Sequence, residues 1–260
     1  MNSICYFDNI PQEIIFHIFS YTSEWNGIIS NVNHLYRYII KDTNKNKIPP
    51  IDFFQIIFSI DLVKWAIQSG CNNIDLSNYA AKYGKLDIIK YIKETKSISI
   101  KDISRLSAFY GHINILKWIY QINYLWNSET FSAAASSGNL EVVKYLHING
   151  SDYNYNSILC AVENGHVEIL EYISGFIKIV NPSNIFNEAI KRGYLDIALF
   201  CYAKYSIWND DTLELVTKYG HLDIIKYIYD NGIGFDYNIA YIAAEYGHLH
   251  MRILVFLNYD

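Results

Sequence analysis

Residues Ala80–Ile92, reading AAKYGKLDIIKYI, decide how this chain is organised, because the stretch recurs along it with little change. Aligned on their glycine, the copies place Gly84, Gly111, Gly138, Gly165, Gly193, Gly220 and Gly247 in one column. Successive glycines stand 27 residues apart, except for a step of 28 between Gly165 and Gly193. A fixed period in this range marks an array of supersecondary units rather than a single globular core.

Each column of the repeat has a physical meaning. Four residues before the glycine the side chain stays small or medium (Ala80, Ser107, Ala134, Ala161, Ala189, Val216, Ala243), which suits two backbones in close approach. After the glycine, apolar residues at two, four, five, seven and eight form one broad helical stripe, as in Leu86, Ile88, Ile89, Tyr91 and Ile92. Lys90, Lys117, Lys144 and Lys226, six after it, fall on the opposite face. The column nine before the glycine (Asp75, Asp102, Glu129, Asn156, Asn184, Asp211, Asn238) is rich in N-cap types and predicts the start of a first helix. Acids three after the glycine, such as Asp87, Glu141, Glu168, Asp196 and Asp223, suit the first turn of a second helix. Gly70, Gly150 and Gly232 fall where that helix should end in a left-handed cap.

The predicted unit is therefore helix, tight turn, helix, short loop. So small a unit cannot bury its own apolar stripe and must stack on its neighbours. The expected fold is all-α, a helical-repeat solenoid.

These columns resemble the ankyrin repeat, whose small-residue pair, Gly-His turn and hydrophobic second helix match Ala134-Ala135, Gly220-His221 and Leu222–Gly232. The resemblance covers roughly 51–260. It departs from the family in lacking the Thr-Pro-Leu-His opening of the first helix, with only Thr130 and Thr212 near that place, and in a period about six residues short of the usual 33. Stunted turns in place of projecting hairpin fingers are the expected result. The short period and the Ile/Asn/Lys/Tyr-heavy composition resemble the ankyrin arrays of giant DNA viruses of amoebae.

Among the 260 residues about half are apolar and 24 are tyrosine, ample material for a core. The column seven after the glycine (Tyr91, Trp118, Tyr145, Tyr172, Tyr227, with Trp65 before it) could be read as a stacking platform for bases, but its register puts it on the packed stripe. A net charge of −5 and no basic run longer than Lys41–Lys47 argue against nucleic acid and anionic membrane as partners. No apolar stretch reaches the roughly 18–20 residues of a membrane span, and the opening MNSICYFDNI does not read as a signal peptide. Cys5, Cys71, Cys160 and Cys201 share no metal-ligand spacing; reduced thiols in an intracellular, cytoplasmic protein are the plain reading, with Cys160 and Cys201 on faces expected to be buried.

The first 45 residues do not carry the repeat. Pro11 stands just inside a predicted helix start, followed by Ile14, Ile15, Ile18 and Phe19 at helical spacing, then by a second run from Ile28 to Ile39. The segment resembles an F-box, with Ile10-Pro11, Glu13, Ile18, Tyr21 and Val32 in place and Tyr36 where the family has tryptophan. Asn33 and Thr22 depart from the family pattern. The alternative is a generic helical cap on the open end of the array. The polar residues 46–50, closed by Pro49-Pro50, read as a linker, and 51–260 as the array of about eight units. Its first copy carries Phe58 at the glycine position. Its last breaks register with His250 and Arg252, as a capping repeat would.

The sequence points to no catalytic motif, metal or cofactor. His112, His166, His221 and His248 recur one after the glycine, one per unit, too dispersed to converge on a zinc ion within about 2.1 Å. A turn histidine bonded to backbone is the simpler reading. Asp210-Asp211 reads as a helix cap rather than a catalytic pair. Two functions follow. In the first, implied by the resemblances, Ile10, Pro11, Ile14, Ile15, Ile18 and Phe19 dock on the Skp1 subunit of a cullin-RING ubiquitin ligase while the array holds the protein to be modified. In the second the chain is a stand-alone scaffold, monomeric until it binds, that holds or sequesters a protein. The groove would be lined by first helices and by inter-unit loops, with Tyr124, Trp126, Tyr153, Tyr155, Trp208 and Asp210 as exposed contact residues.

Overall fold

The computed structural model describes residues 56–68, 71–207, 210–231 and 238–248. The N-terminal segment, the linker and the His250 and Arg252 breaks lie outside them. Every regular element among the described residues is an α-helix: α1 (Ile60–Gln68), α2 (Asn73–Lys82), α3 (Leu86–Thr95), α4 (Ile100–Phe109), α5 (Ile113–Gln121), α6 (Ser128–Ser137), α7 (Leu140–Ile148), α8 (Tyr155–Glu163), α9 (Val167–Ile173), α10 (Pro182–Arg192), α11 (Leu195–Tyr205), α12 (Asp210–Tyr219), α13 (Leu222–Asp230) and α14 (Asn238–Glu245). From α2 to α13 these form six helix pairs, one per glycine, with α1 before them and α14 after; the remaining halves of the outer repeats fall outside the described residues.

The chain divides into two bodies, Met1–Ser99 and Ile100–Asp260. In the first, α2 packs on α3 across the Gly84 turn. In the second, the first helices stack in one layer in the order α4, α6, α8, α10, α12, α14. Each from α4 to α12 also packs on the second helix of its own pair, and α7, α9 and α11 pack in sequence behind them.

The turn between paired helices explains the glycine column. All seven turn glycines have positive φ, between +71° and +82°. At Gly84, Gly111, Gly165, Gly193 and Gly247 the glycine N–H donates to the carbonyl three residues back (Gly193 to Ile190, 3.2 Å), and the next N–H to the carbonyl five back (Tyr194 to Ala189, 2.9 Å). This is the Schellman closure, which needs a left-handed residue at its centre. The residue after the glycine then makes an inverse γ-turn: Tyr194 has φ −86° and ψ +84°, and Leu195 N–H reaches the Gly193 carbonyl at 3.1 Å. Two interlocking turns thus reverse the chain within two residues.

The expected second-helix cap at Gly150 is present, with φ +78° and the same pair of closing bonds, from Gly150 to His147 and Ser151 to Leu146. Where α5 has no glycine, Asn123 takes the left-handed position at φ +56°, as asparagine can at modest cost. Gly70 and Gly232 lie outside the described residues.

The N-cap assignment requires correction. Helix α2 is capped by Asn72, α6 by Asn127, α8 by Asn154 and α10 by Asn181, each accepting an N–H from two or three residues on. These stand eleven or twelve residues before the glycine. The column nine before it lies inside the first turn, where Asp75, Asp102 and Glu129 favour the helix dipole instead.

Burial follows the repeat. The small column is fully buried in every copy, Ala80 to Ala243, and so is the column eight after the glycine: Ile92, Ile119, Leu146, Ile173, Cys201 and Ile228. Each large apolar side chain so placed contributes about 1.5–3 kcal/mol. The aromatic column seven after is buried at Trp118 and half-buried at Tyr91, Tyr145, Tyr172 and Tyr227, so it packs between helices rather than standing free. Lys90, Lys117, Lys144 and Lys226 are exposed on the opposite face. Cys201 is buried as expected, whereas Cys160 is only half-buried, because α8 turns it toward the exposed side of the first-helix layer.

Candidate functional site

A stack of similar units presents a surface wherever its columns are not consumed by packing. On the first helices of the second body the buried columns lie three, four, seven and eight before the glycine. The columns one, two and six before it face outward: Arg105, Phe109 and Tyr110 on α4; Glu163 and Asn164 on α8; Asn187, Lys191 and Arg192 on α10; Glu214, Lys218 and Tyr219 on α12. Between them α6 offers only half-buried Ala133, Ser136 and Ser137, so the surface has a low, small-residue centre between more voluminous rows.

This face is fixed by bonds from each repeat to the one before it. The residue after the turn glycine sends its side chain back to the carbonyl two before the previous glycine. His166 Nε2 meets the Ser136 carbonyl at 3.1 Å, His221 that of Lys191 at 2.8 Å and His248 that of Lys218 at 2.9 Å. Asn139 Nδ2 does the same to Phe109 at 3.3 Å, and the Tyr194 hydroxyl to Glu163 at 3.4 Å. The acceptor is one of the carbonyls that a helix C-terminus leaves unpaired. A donor therefore belongs at this column, and histidine, asparagine and tyrosine all supply one. In the first body, Phe58 replaces the glycine, and Lys85 Nζ sits over its ring at 4.1 Å, a cation–π contact in the same place. His166, His221 and His248 are thus each bonded to one backbone carbonyl, as a turn role implies. That the bond joins neighbouring repeats had no signal in any single copy.

Polar links reinforce several joints. Lys101 pairs with Glu129 at 2.8 Å from α4 to α6, a hydrogen bond that holds the ammonium pKa above its usual value. The Ser132 and Ser157 hydroxyls meet at 3.0 Å inside the α6–α8 joint. Arg192 reaches the Glu163 carbonyl at 3.0 Å while its Nε bonds Glu188 at 2.6 Å, which raises the guanidinium pKa. On the second-helix side, Lys204 Nζ bonds Ser174 Oγ at 2.9 Å.

The inter-unit loops carry an aromatic cluster. Phe176, from the repeat with the one-residue insertion, stacks on the His147 ring with centroids 3.7 Å apart. It also meets Tyr153 at 4.9 Å, Tyr172 at 5.4 Å and Phe131 at 6.4 Å. His147 Nδ1 and the Tyr172 hydroxyl are 2.8 Å apart. The cluster thus joins the Gly138 and Gly165 repeats and the loop between them.

The expected contact residues separate on inspection. Tyr153 is exposed, 40 %, at the edge of this cluster. Tyr124 and Tyr155 are half-buried, and burial pushes the Tyr155 phenol pKa up. Trp126 is not an exposed aromatic: it is 3 % accessible, stacked on Tyr120 at 5.4 Å and edge-on to Tyr145 at 5.7 Å. The six-residue connection from α5 to α6 turns it inward, leaving its neighbour Leu125 outside. Trp208 lies outside the described residues, Asp210 begins α12 with its side chain likewise outside them, and so do Ile10, Pro11, Ile14, Ile15, Ile18 and Phe19. The outward columns of the first helices, Arg105 and Glu214 among them, were missed as individual residues. Their one signal is at the position six before the glycine, which runs Arg105, Ser132, Leu159, Asn187, Glu214 while the small column stays small or medium.

Among the described residues no helix is long and apolar enough to cross a membrane. Residues 131–173 match the sequence model of ankyrin repeats (many copies). The matched segment runs from α6 to the end of α9, the part of the array with the small-residue centre and most of the aromatic cluster. No curated protein matches the chain significantly. The match supports an ankyrin-repeat protein, and with it a protein–protein interaction module.

Proposed function

We propose that this chain is a non-enzymatic adaptor in which the repeat array holds a target protein and the N-terminal segment docks on a Skp1-like subunit of a ubiquitin ligase. The observation that carries the first half is the division of each first helix into a buried column kept small or medium, Ala80 to Ala243, and outward positions whose chemistry changes along the array, as Arg105, Asn187 and Glu214 do six before the glycine. Such a surface is held rigidly by its joints and varies only where a partner would read it. Binding there costs little ordering, since the donors that fix each repeat are already bonded to backbone.

The second half rests on the resemblance of Ile10-Pro11, Glu13, Ile18, Tyr21 and Val32 to an F-box. Ile10, Pro11, Ile14, Ile15, Ile18 and Phe19 would complete a helical bundle with the subunit, burying apolar area worth roughly 25 cal/mol per Å² before association costs. In this reading the protein acts in the cytoplasm, that of an infected host if the chain is viral. The test is a pull-down with purified Skp1, comparing wild type with the Ile15→Asp, Ile18→Asp double variant. Retention by the wild type and loss in the variant supports the adaptor. No retention by the wild type leaves the array as a stand-alone scaffold and removes the ligase from the account.

A further inference from the structure

The chain holds four Asn-Gly dipeptides, and two of them, Asn149-Gly150 and Asn164-Gly165, lie wholly within the described residues. Both asparagines end a helix and pass the chain to a left-handed glycine. Asn149 closes α7 at ψ +18° and Asn164 closes α8 at ψ +5°, each before a glycine at φ +78°. Asn-Gly is the dipeptide most open to ring closure, because no side chain hinders the glycine nitrogen from attacking the asparagine amide. In the fold each glycine N–H is bonded inside its turn, Gly150 to His147 at 3.2 Å and Gly165 to Val162 at 3.1 Å. Ring closure therefore waits on local opening, and the cost of opening sets its rate.

That cost differs between the two. Opening at Gly150 breaks bonds within one repeat and its loop: Asn149 Nδ2 to the Tyr145 carbonyl at 2.7 Å and Ser151 N–H to Leu146 at 2.9 Å. Nothing stands within 4 Å of where a Gly150 Cβ would be, so no neighbour is seated on that glycine. Opening at Gly165 disturbs the joints on both sides. Asn164 Nδ2 bonds the Cys160 carbonyl at 2.8 Å and Ser136 Oγ at 3.2 Å, and His166 bonds the Ser136 carbonyl at 3.1 Å. The Tyr194 ring lies 2.9 Å from where a Gly165 Cβ would stand. Exposure alone ranks the pair the other way, since Asn164 is exposed and Asn149 half-buried. We propose that Asn149 is a site of spontaneous deamidation, and that its conversion loosens the joint between the Gly138 and Gly165 repeats.

The Gly150 nitrogen attacks Asn149 Cγ, and the new C–N bond closes a succinimide. The Cγ–Nδ2 bond breaks, and Nδ2 leaves as ammonia with the proton the Gly150 nitrogen gave up. Water then opens either ring carbonyl, leaving aspartate or isoaspartate. Aspartate puts a carboxylate where the amide donated to Tyr145, at the negative end of the α7 dipole. Isoaspartate adds a methylene to the main chain just before the closing bonds, upstream of Tyr153 in the aromatic cluster and of the Asn154 cap of α8. Neither step depends on what the array binds.

The experiment ages the full chain in mildly alkaline buffer, folded and in unfolding urea, and follows each asparagine by peptide mapping and enzymatic methylation of isoaspartate. In the folded chain Asn149 should convert about tenfold or more faster than Asn164, while in urea the two rates should converge. Ser136→Ala, which removes one joint bond, should raise the Asn164 rate about two- to tenfold and leave Asn149 unchanged. Equal folded rates, faster conversion at Asn164, or no conversion at Asn149 while the urea control reacts would overturn the site. Asn149→Asp should exchange amide hydrogens faster than the wild type over 146–157 and at the wild-type rate across α12. Unaltered exchange over 146–157 would show that the joint does not depend on the Asn149 amide.

Discussion

The imidazole of His221 occupies the space that a side chain on Gly193 would need. A Cβ built there would stand 2.5 Å from His221 Nδ1, while Nε2 of the same ring bonds the Lys191 carbonyl at 2.8 Å. The glycine is thus required twice, by its φ of +77° and by the neighbour seated on it. Similar approaches occur at Gly138 under His166, Gly165 under Tyr194 and Gly220 under His248.

Gly150 separates the two requirements. Its φ is +78°, yet nothing lies within 4 Å of where its Cβ would be. Gly150→Ala should cost about 1–2 kcal/mol, the left-handed penalty alone. Gly193→Ala should cost about 2–4 kcal/mol, because the joint bond is lost as well. Urea midpoints of the two variants test this, and equal losses would show that the contact with His221 carries no weight.

The joint bond needs a donor rather than an imidazole. His221→Asn should retain most of the stability, since Asn139 makes the same contact at another joint. His221→Leu should lose about 1–3 kcal/mol by leaving the Lys191 carbonyl unpaired. Hydrogen exchange across α10 and α12 should rise in the leucine variant only; a rise in both would contradict the assignment.

Burial pushes the Cys201 thiol from 9.0 up to about 12, against a smaller opposing pull from Lys204. The folded value lies above the unfolded one, so the protonated thiol favours the fold below pH 9 and that contribution is lost between about pH 9 and 12. Stability should decline over this window in the wild type and decline less in Cys201→Ala. Maleimide at pH 8 should modify half-buried Cys160 well before Cys201, although burial, and then Glu163, raise the Cys160 pKa too. Peptide mapping showing Cys201 labelled first would refute the packing described for α11.

Trp126 offers a contrast of shape and polarity. Its indole Nε1 is buried with no hydrogen-bond partner among the described residues. Trp126→Phe should keep the stacking on Tyr120 and change stability by about 1 kcal/mol or less, because an unpaired donor leaves with the indole. Trp126→Ala should cost about 3–5 kcal/mol. Thermal unfolding of both variants decides this, and a large loss in the phenylalanine variant would mean the N–H is satisfied after all.

Much of this architecture was legible because a repeat states its rules several times over. The glycine column, the small column at Ala134 and its equivalents, and the stripe through Ile169, Leu170 and Ile173 are each written in several copies, and each sits as its period implies. Helix starts were misplaced because asparagines abound in the loops, and Asn127 and Asn154 compete with Glu129 and Asn156 for the same role. The joints were invisible because the His221 bond lies between copies, 30 residues apart, where no single period displays it. Trp126 was read as a contact residue because composition alone cannot tell a loop aromatic that folds inward from its neighbour Leu125 that does not.

The central claim is that recognition belongs to the outward columns of the first helices. Its most direct test is capture of target protein by the full chain carrying Arg105→Glu, Asn187→Lys and Glu214→Lys, compared with a chain carrying Lys117→Glu and Lys144→Glu on the opposite face. All five residues are exposed, so both variants should fold. Loss of the captured protein in the first variant and retention in the second is the predicted result; retention in the first and loss in the second would contradict the account.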